Sequence, residues 1–155
     1  MSLLGRSHSG RSHPHSRSRA QALAEFALVA PIFFLILFGI IDFGRYVYYT
    51  QILNNAAREG ARYAIVHGEL GTPKTGPPSD PSGTAVINVV RNYAIGVIGL
   101  EDATVLDIDA TWDPANNKRG TKVTVEVTYD FHSVIPLVPI PPITVRGAST
   151  LVINN

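Results

Sequence analysis

Few side chains in this 155-residue chain could do chemistry, and they are scattered. Asp107, Asp109 and Asp113 stand close together, as calcium ligands do, but their spacing matches no EF-hand loop. The alternation of TVLDIDATW puts Asp107 and Asp109 on the polar face of a strand and Asp113 at a turn, where carboxylates are solvated. His67 and His132 are lone imidazoles, and the remaining histidines sit in a Ser/Arg-rich leader. No Ser/His/Asp set, zinc pair or phosphate loop can be assembled. The absence of cysteine excludes disulfides and thiolate metal or redox sites. The chain reads as non-catalytic, with no cofactor. One residue still asks for an explanation: Glu25, just inside the N-terminal edge of LAEFALVAPIFFLILFGIIDFGR. A carboxylate beside hydrocarbon is costly and usually marks function.

The element that positions Glu25 is an apolar helix. Residues 26–41 hold 16 positions without a charge, and the wider span 20–43 contains 24 residues, including Glu25 and Asp42. At the helical rise this span is about 36 Å long, enough for a bilayer core of about 30 Å. Residues 1–24 carry Arg6, Arg11, Arg17 and Arg19, three histidines and no acid before Glu25 is reached at the next position. Positive charge stays on the side from which a helix inserts, so the N-terminus is expected in the cytoplasm and the remainder exported. The leader 1–19 lacks apolar periodicity and is expected to be disordered. No small-x-small cleavage site follows Ile41, so the helix is expected to remain as an anchor in the cytoplasmic membrane. Residues 44–155 hold nine Lys or Arg against ten Asp or Glu, which excludes a basic nucleic-acid surface.

Past Asp42 the pattern turns amphipathic, and one helix is expected from Ala20 to about Val66, kinked at Pro31. Phe43, Val47, Leu53, Ala57, Ala61 and Ala64 fall near one stripe, and Gly68 stands where a C-cap glycine would end the helix. A Gly/Pro loop follows over 67–83, then a second amphipathic helix over 84–99, with Val86, Val89, Val90, Tyr93, Ala94 and Val97 on its apolar side. Three strands are expected at 104–112, 121–131 and 143–153, with Val123, Val125, Val127 and Tyr129 sharing a face of the middle one. The expected fold class is α+β and pilin-like. A transmembrane helix (20–43) continues into an amphipathic half (44–66), which packs on a small antiparallel sheet and a short helix in an exported head (44–155).

RSRAQALAEFALV places Glu25 five residues after Ala20, between the basic leader and the apolar run. This resembles the processing site of type IV prepilins, in which a membrane-embedded prepilin peptidase cuts before the apolar segment and a glutamate occupies the fifth mature position. The resemblance implies a cut between Ala20 and Gln21, with Ala20 where the family usually has glycine. It also implies that Glu25 pairs with the new α-amino group of Gln21 on a neighbouring subunit. Two charges that are costly alone in hydrocarbon become tolerable together.

A second stretch, NNAAREGARYAIVHG, together with Glu25-Phe26, Pro31, Gly39 and the Asp42-Phe43-Gly44-Arg45 exit, closely resembles the TadE-like family of the tight-adherence (Tad/Flp) pilus systems. The resemblance is specific over about residues 20–68 and only general over the head. It implies a pseudopilin or minor pilin in pilus assembly, beside TadF-like or TadG-like subunits and the major pilin. The alternative is an uncleaved single-pass protein whose exported head serves adhesion or envelope binding.

The residues of this second stretch carry their own physical argument. Ala56, Gly60 and Ala64 recur every four positions, with Ala57 and Ala61 in a parallel row, so another backbone can approach closely. Either the head's own sheet or a partner helix fits that requirement. Arg58 and Arg62 share a side and would face acids in the head or in a partner. Asp42, Arg45 and Tyr46, with Tyr48 and Tyr49, are placed to mark the outer membrane–water boundary.

Overall fold

In the computed structural model, residues 15–98, 105–135 and 141–154 are described. The apolar run and the amphipathic run that follows it form one helix, α1 (His15–Val66), which contains Pro31. The helix begins ahead of Ala20, so 15–19 are helical, while residues 1–14 of the expected leader lie outside the described residues. The chain divides into two compact units between Gly39 and Ile40.

In the first unit, α1 is apolar on every side from Phe26 onward. Leu23, Phe26, Leu28, Ile32, Phe33 and Ile36 are each more than half exposed. A helix that is hydrophobic all round is at rest only in apolar surroundings. By length and composition this helix can cross a membrane.

The second unit begins at Ile40. It contains the rest of α1, then α2 (Thr84–Ile98) and strands β1 (Leu106–Asp113), β2 (Lys122–Phe131) and β3 (Ile143–Val152). These elements fall within a residue or two of their sequence expectation, since alternation and helical periodicity are strong over each of them. The strands form an antiparallel meander ordered β1-β2-β3. Register places Ile108 opposite Val127 and Val127 opposite Gly147, so their side chains share one face. That face, with Ala110, Trp112, Val123, Val125 and Val145, forms the core with Leu53, Ala57 and Ala61 of α1 and Val86, Val90 and Ala94 of α2.

Close backbone approach holds the layers together. A Cβ on Gly147 would lie 2.3 Å from the Leu53 carbonyl carbon, so α1 crosses β3 with nothing between them. A Cβ on Gly60 would lie 2.4 Å from Cγ2 of Val90, which makes Gly60 the contact point of α1 with α2. The helix ends are capped from the loop between them. Thr75 is fully buried and its hydroxyl lies 3.2 Å from the Ala64 carbonyl and 2.8 Å from that of His67, closing the C-terminus of α1. Asp80 accepts from the Thr84 and Ala85 amides at 3.0 Å each, serving the first turn of α2.

Two expectations are corrected. Gly68 does not adopt the left-handed conformation of a C-cap glycine: only Gly76, Gly83 and Gly120 have positive φ among the described residues. Gly68 is small for a different reason, because a Cβ there would lie 3.0 Å from Ile153 and 3.1 Å from the Asn117 carbonyl. The amphipathic stripe also starts later than its periodicity suggests. Phe43 and Val47 are 69% and 37% exposed, and of the expected stripe the first fully buried side chain is Leu53.

Candidate functional site

The residues singled out from the sequence fall into three groups along α1. The first is Ala20, Gln21 and Glu25, all exposed on the helix. Gln21 lies one turn before Glu25, and its Nε2 donates to Glu25 Oε1 at 3.2 Å. That contact satisfies part of the carboxylate but brings no counter-charge. Among the described residues, Glu25 has no ion pair.

The second group is the NAAREGAR stretch. Ala56, Ala57, Gly60 and Ala61 are fully buried within the chain's own core. Small side chains are needed here because Val86 and Val90 of α2 and Val125 of β2 press against α1. Of the two readings of this row, packing by the head itself is what the structure displays. A partner helix has no access to it. Arg58, Glu59 and Arg62 lie on the opposite, exposed side. Among the described residues none of the three is in an ion pair, so this charged edge is what α1 offers outward.

The third group does more than mark a boundary. Asp42 is only 7% exposed and is the most heavily hydrogen-bonded carboxylate among the described residues. Arg45, one turn further on, donates from Nη1 to Asp42 Oδ1 at 2.9 Å. The Val134 amide donates to Asp42 Oδ2 at 3.0 Å and reaches Oδ1 at 3.2 Å, and the Ser133 hydroxyl donates to Oδ2. Arg45 also donates to the His132 carbonyl at 3.4 Å, and its guanidinium lies 5.0 Å from the centre of the Phe131 ring. Tyr46 meets the same ring edge-on at 6.1 Å. The Asp42–Arg45 pair therefore fastens the chain leaving β2 onto α1. Sequence reasoning found Asp42, Arg45 and Tyr46 but missed Phe131, Ser133 and Val134. A contact spanning about ninety positions leaves no periodic trace in one sequence, and two of its donors are ordinary backbone and serine groups.

The acidic residues of the outer sheet face do not assemble a metal site. Asp107 and Asp109 are exposed on β1, Glu126 is paired with Arg146, and Asp130 accepts from Thr144. No group of three His, Asp or Glu able to hold a metal occurs among the described residues.

An apolar helix leading into an α+β head with a three-stranded meander is the class of molecule so defined. A family described as TadE-like protein matches residues 20–62, from the expected processing position through the NAAREGAR stretch. This is the family that the residues of α1 resemble. No curated protein and no solved structure matches the chain. The family match and the candidate span together support a membrane protein associated with a Tad pilus, and the matched family is structural rather than enzymatic.

Proposed function

We propose that this chain is a TadE-like pseudopilin that acts in assembly of a Tad/Flp pilus, anchored in the cytoplasmic membrane with its N-terminus inside and its head exported. The observation that carries the reading is the extent of the family match. It begins at Ala20, includes Glu25, and ends at Arg62, covering both the expected processing position and the charged turn of α1. In this reading prepilin peptidase cuts between Ala20 and Gln21. The freed amine of one subunit then neutralises Glu25 of the next, a charge that among the described residues accepts a hydrogen bond from the neutral Gln21 amide and has no ion pair. TadF-like or TadG-like subunits and the major pilin are the proposed partners. The small-residue row is filled internally, and Arg58, Glu59 and Arg62, exposed on α1, are proposed to meet them.

The first test is the intact mass of the membrane-extracted protein with peptide mapping of its N-terminus. A start at Gln21 supports prepilin-type processing. A start near Met1 with the arginine-rich leader intact sinks it and leaves an anchored protein with an adhesion or envelope-binding head. Glu25→Gln then tests the pairing: unchanged incorporation into the assembly complex would count against it. Arg58→Glu tests the charged edge, with loss of partner pull-down as the expected result.

A further inference from the structure

The head keeps its charges apart. At one end of the sheet the turn after β1 carries Lys118 and Arg119, and β2 starts at Lys122, all three exposed. Exposed Lys74 lies in the loop after α1, which is tied to that turn by the Glu69 amide donating to the Asn117 carbonyl at 2.9 Å. Residues 67–75 and 113–122 together hold these four cations against two acids, Glu69 and Asp113. Among the described residues none of the four cations is in an ion pair. The turn that presents Lys118 and Arg119 is held in shape, since Asn116 Oδ1 accepts from the Lys118 amide at 3.0 Å and from the Thr121 hydroxyl at 2.6 Å.

The uncompensated acids stand on the outer face of the sheet. Asp107 and Asp109 project from β1 and Asp130 from β2, all exposed. Glu126 on this face is paired with Arg146, and Asp130 accepts from the neutral Thr144 hydroxyl. Asp107 and Asp109 are in no ion pair among the described residues. Two adjacent hollows of about 230 and 240 Å³ indent this face. Asp107 and Thr128 line both, with Asp109 and Glu126 in one and Asp130 in the other, so the face is concave where it is acidic.

One head cannot bring its own two surfaces together. From Asp113, at the end of β1 where the basic turn begins, Asp109 and Asp107 lie about 13 and 20 Å back along the strand, at about 3.3 Å per residue. Exposed charges farther apart than about 8 Å are largely screened in physiological salt. A second copy of the chain brings both surfaces and can set one against the other.

We propose that heads associate in this way, with the basic turn of one copy seated on the acidic outer sheet face of the next, Lys118 and Arg119 against Asp107 and Asp109. Two different patches meet, so the contact is heterologous. Every pair keeps one basic turn and one acidic face unused, and a further copy can add at either end. The inference concerns the head alone and holds whether or not the leader is cut.

The test is energy transfer between labelled full chains mixed in a neutral detergent. The chain has no cysteine, so single labels are unambiguous. Ala115→Cys marks the basic turn and Ala148→Cys marks the outer face, both at exposed positions. The expected result is stronger transfer from a donor at 115 to an acceptor at 148 than for 115 with 115 or 148 with 148, falling as salt is raised. Reversing the turn on the donor chain (Lys118→Glu with Arg119→Glu) weakens the association about fivefold or more, since two exposed pairs are lost. Reversing the face on the acceptor chain (Asp107→Lys with Asp109→Lys) does the same, and mixing the two reversed chains restores the transfer. Equal transfer in all three label pairings overturns the proposal, because association through α1 has no preference for turn against face. Loss in both single reversals without recovery in the mixture also overturns it, and leaves the turn to another acidic partner or to anionic lipid. So does an absence of transfer between wild-type heads.

Discussion

Substituting Gly60 sets two effects of similar size against each other. In a helix interior alanine is favoured over glycine by about 0.5–1 kcal/mol, so Gly60→Ala should stabilise if only the backbone mattered. The added Cβ, however, would lie 2.4 Å from Val90 Cγ2, 3.3 Å from Val125 Cγ1 and 3.4 Å from Val86 Cγ1. Valine in a helix holds one strongly preferred rotamer, so Val90 cannot swing its methyl aside and the helices must part instead. Overpacking of this kind costs about 1–3 kcal/mol, and its middle value exceeds the propensity gain by about 1 kcal/mol. At this size of domain that is a fall in Tm of roughly 4 °C. The assay is thermal unfolding of the full chain in detergent, followed by the fluorescence of Trp112, the single tryptophan and a buried one. Gly44→Ala is the control, because a Cβ there meets nothing within 4 Å and should not lower Tm. Val90→Ala should relieve the clash, so the double variant should be less destabilised than the sum of the singles by about 1 kcal/mol. A rise in Tm for Gly60→Ala equal to the propensity gain would refute the argument that close packing fixes glycine at this position.

Four other outcomes follow from the same contacts. Asp42→Asn removes the charge that Arg45 and two nearby donors share, at about 1–3 kcal/mol, and should speed hydrogen exchange of the Val134 amide above all others in its loop. Asp80→Ala deletes the acceptor for the first two amides of α2 and should cost about 1 kcal/mol in the same unfolding assay. Glu126→Gln breaks an exposed pair with Arg146 on the outer sheet face and should shift stability by less than about 1 kcal/mol, since surface ion pairs contribute little. Burial, reinforced by the neighbouring Tyr49, raises the Tyr129 phenol above its ordinary value of 10.0. The folded state therefore holds that proton more tightly than the unfolded chain. Stability from this group is complete below the ordinary value and is lost as pH rises through the folded one, so Tyr129→Phe should flatten the alkaline decline in Tm.

Within this chain, local pattern and long-range contact divided the information cleanly. The apolar run, the helix through Val66 and the three strands were legible because each is a repeat of period 3.6 or 2 sustained over many residues. Glu25 stood out because a charge in an apolar run violates its surroundings, and the small residues of NAAREGAR stood out because their four-residue recurrence implies close approach. The sequence could not say what approaches. Val86, Val90 and Val125 fill that row, and their identity follows from how α2 and β2 pack, which no local pattern encodes. The same holds for Gly68, whose place after the helix suggested a left-handed turn but whose smallness answers to Ile153 and the Asn117 carbonyl. Asp42 is the clearest case. Its position at the end of the apolar run indicated a boundary, which depends only on neighbours in sequence. Its burial and its hold on Ser133 and Val134 depend on the return of the chain after β2, and loop closure over that distance is set by the sheet as a whole. Periodicity determined the elements, and only tertiary packing decided which faces of α1 are used up internally and which remain to meet a partner or the membrane.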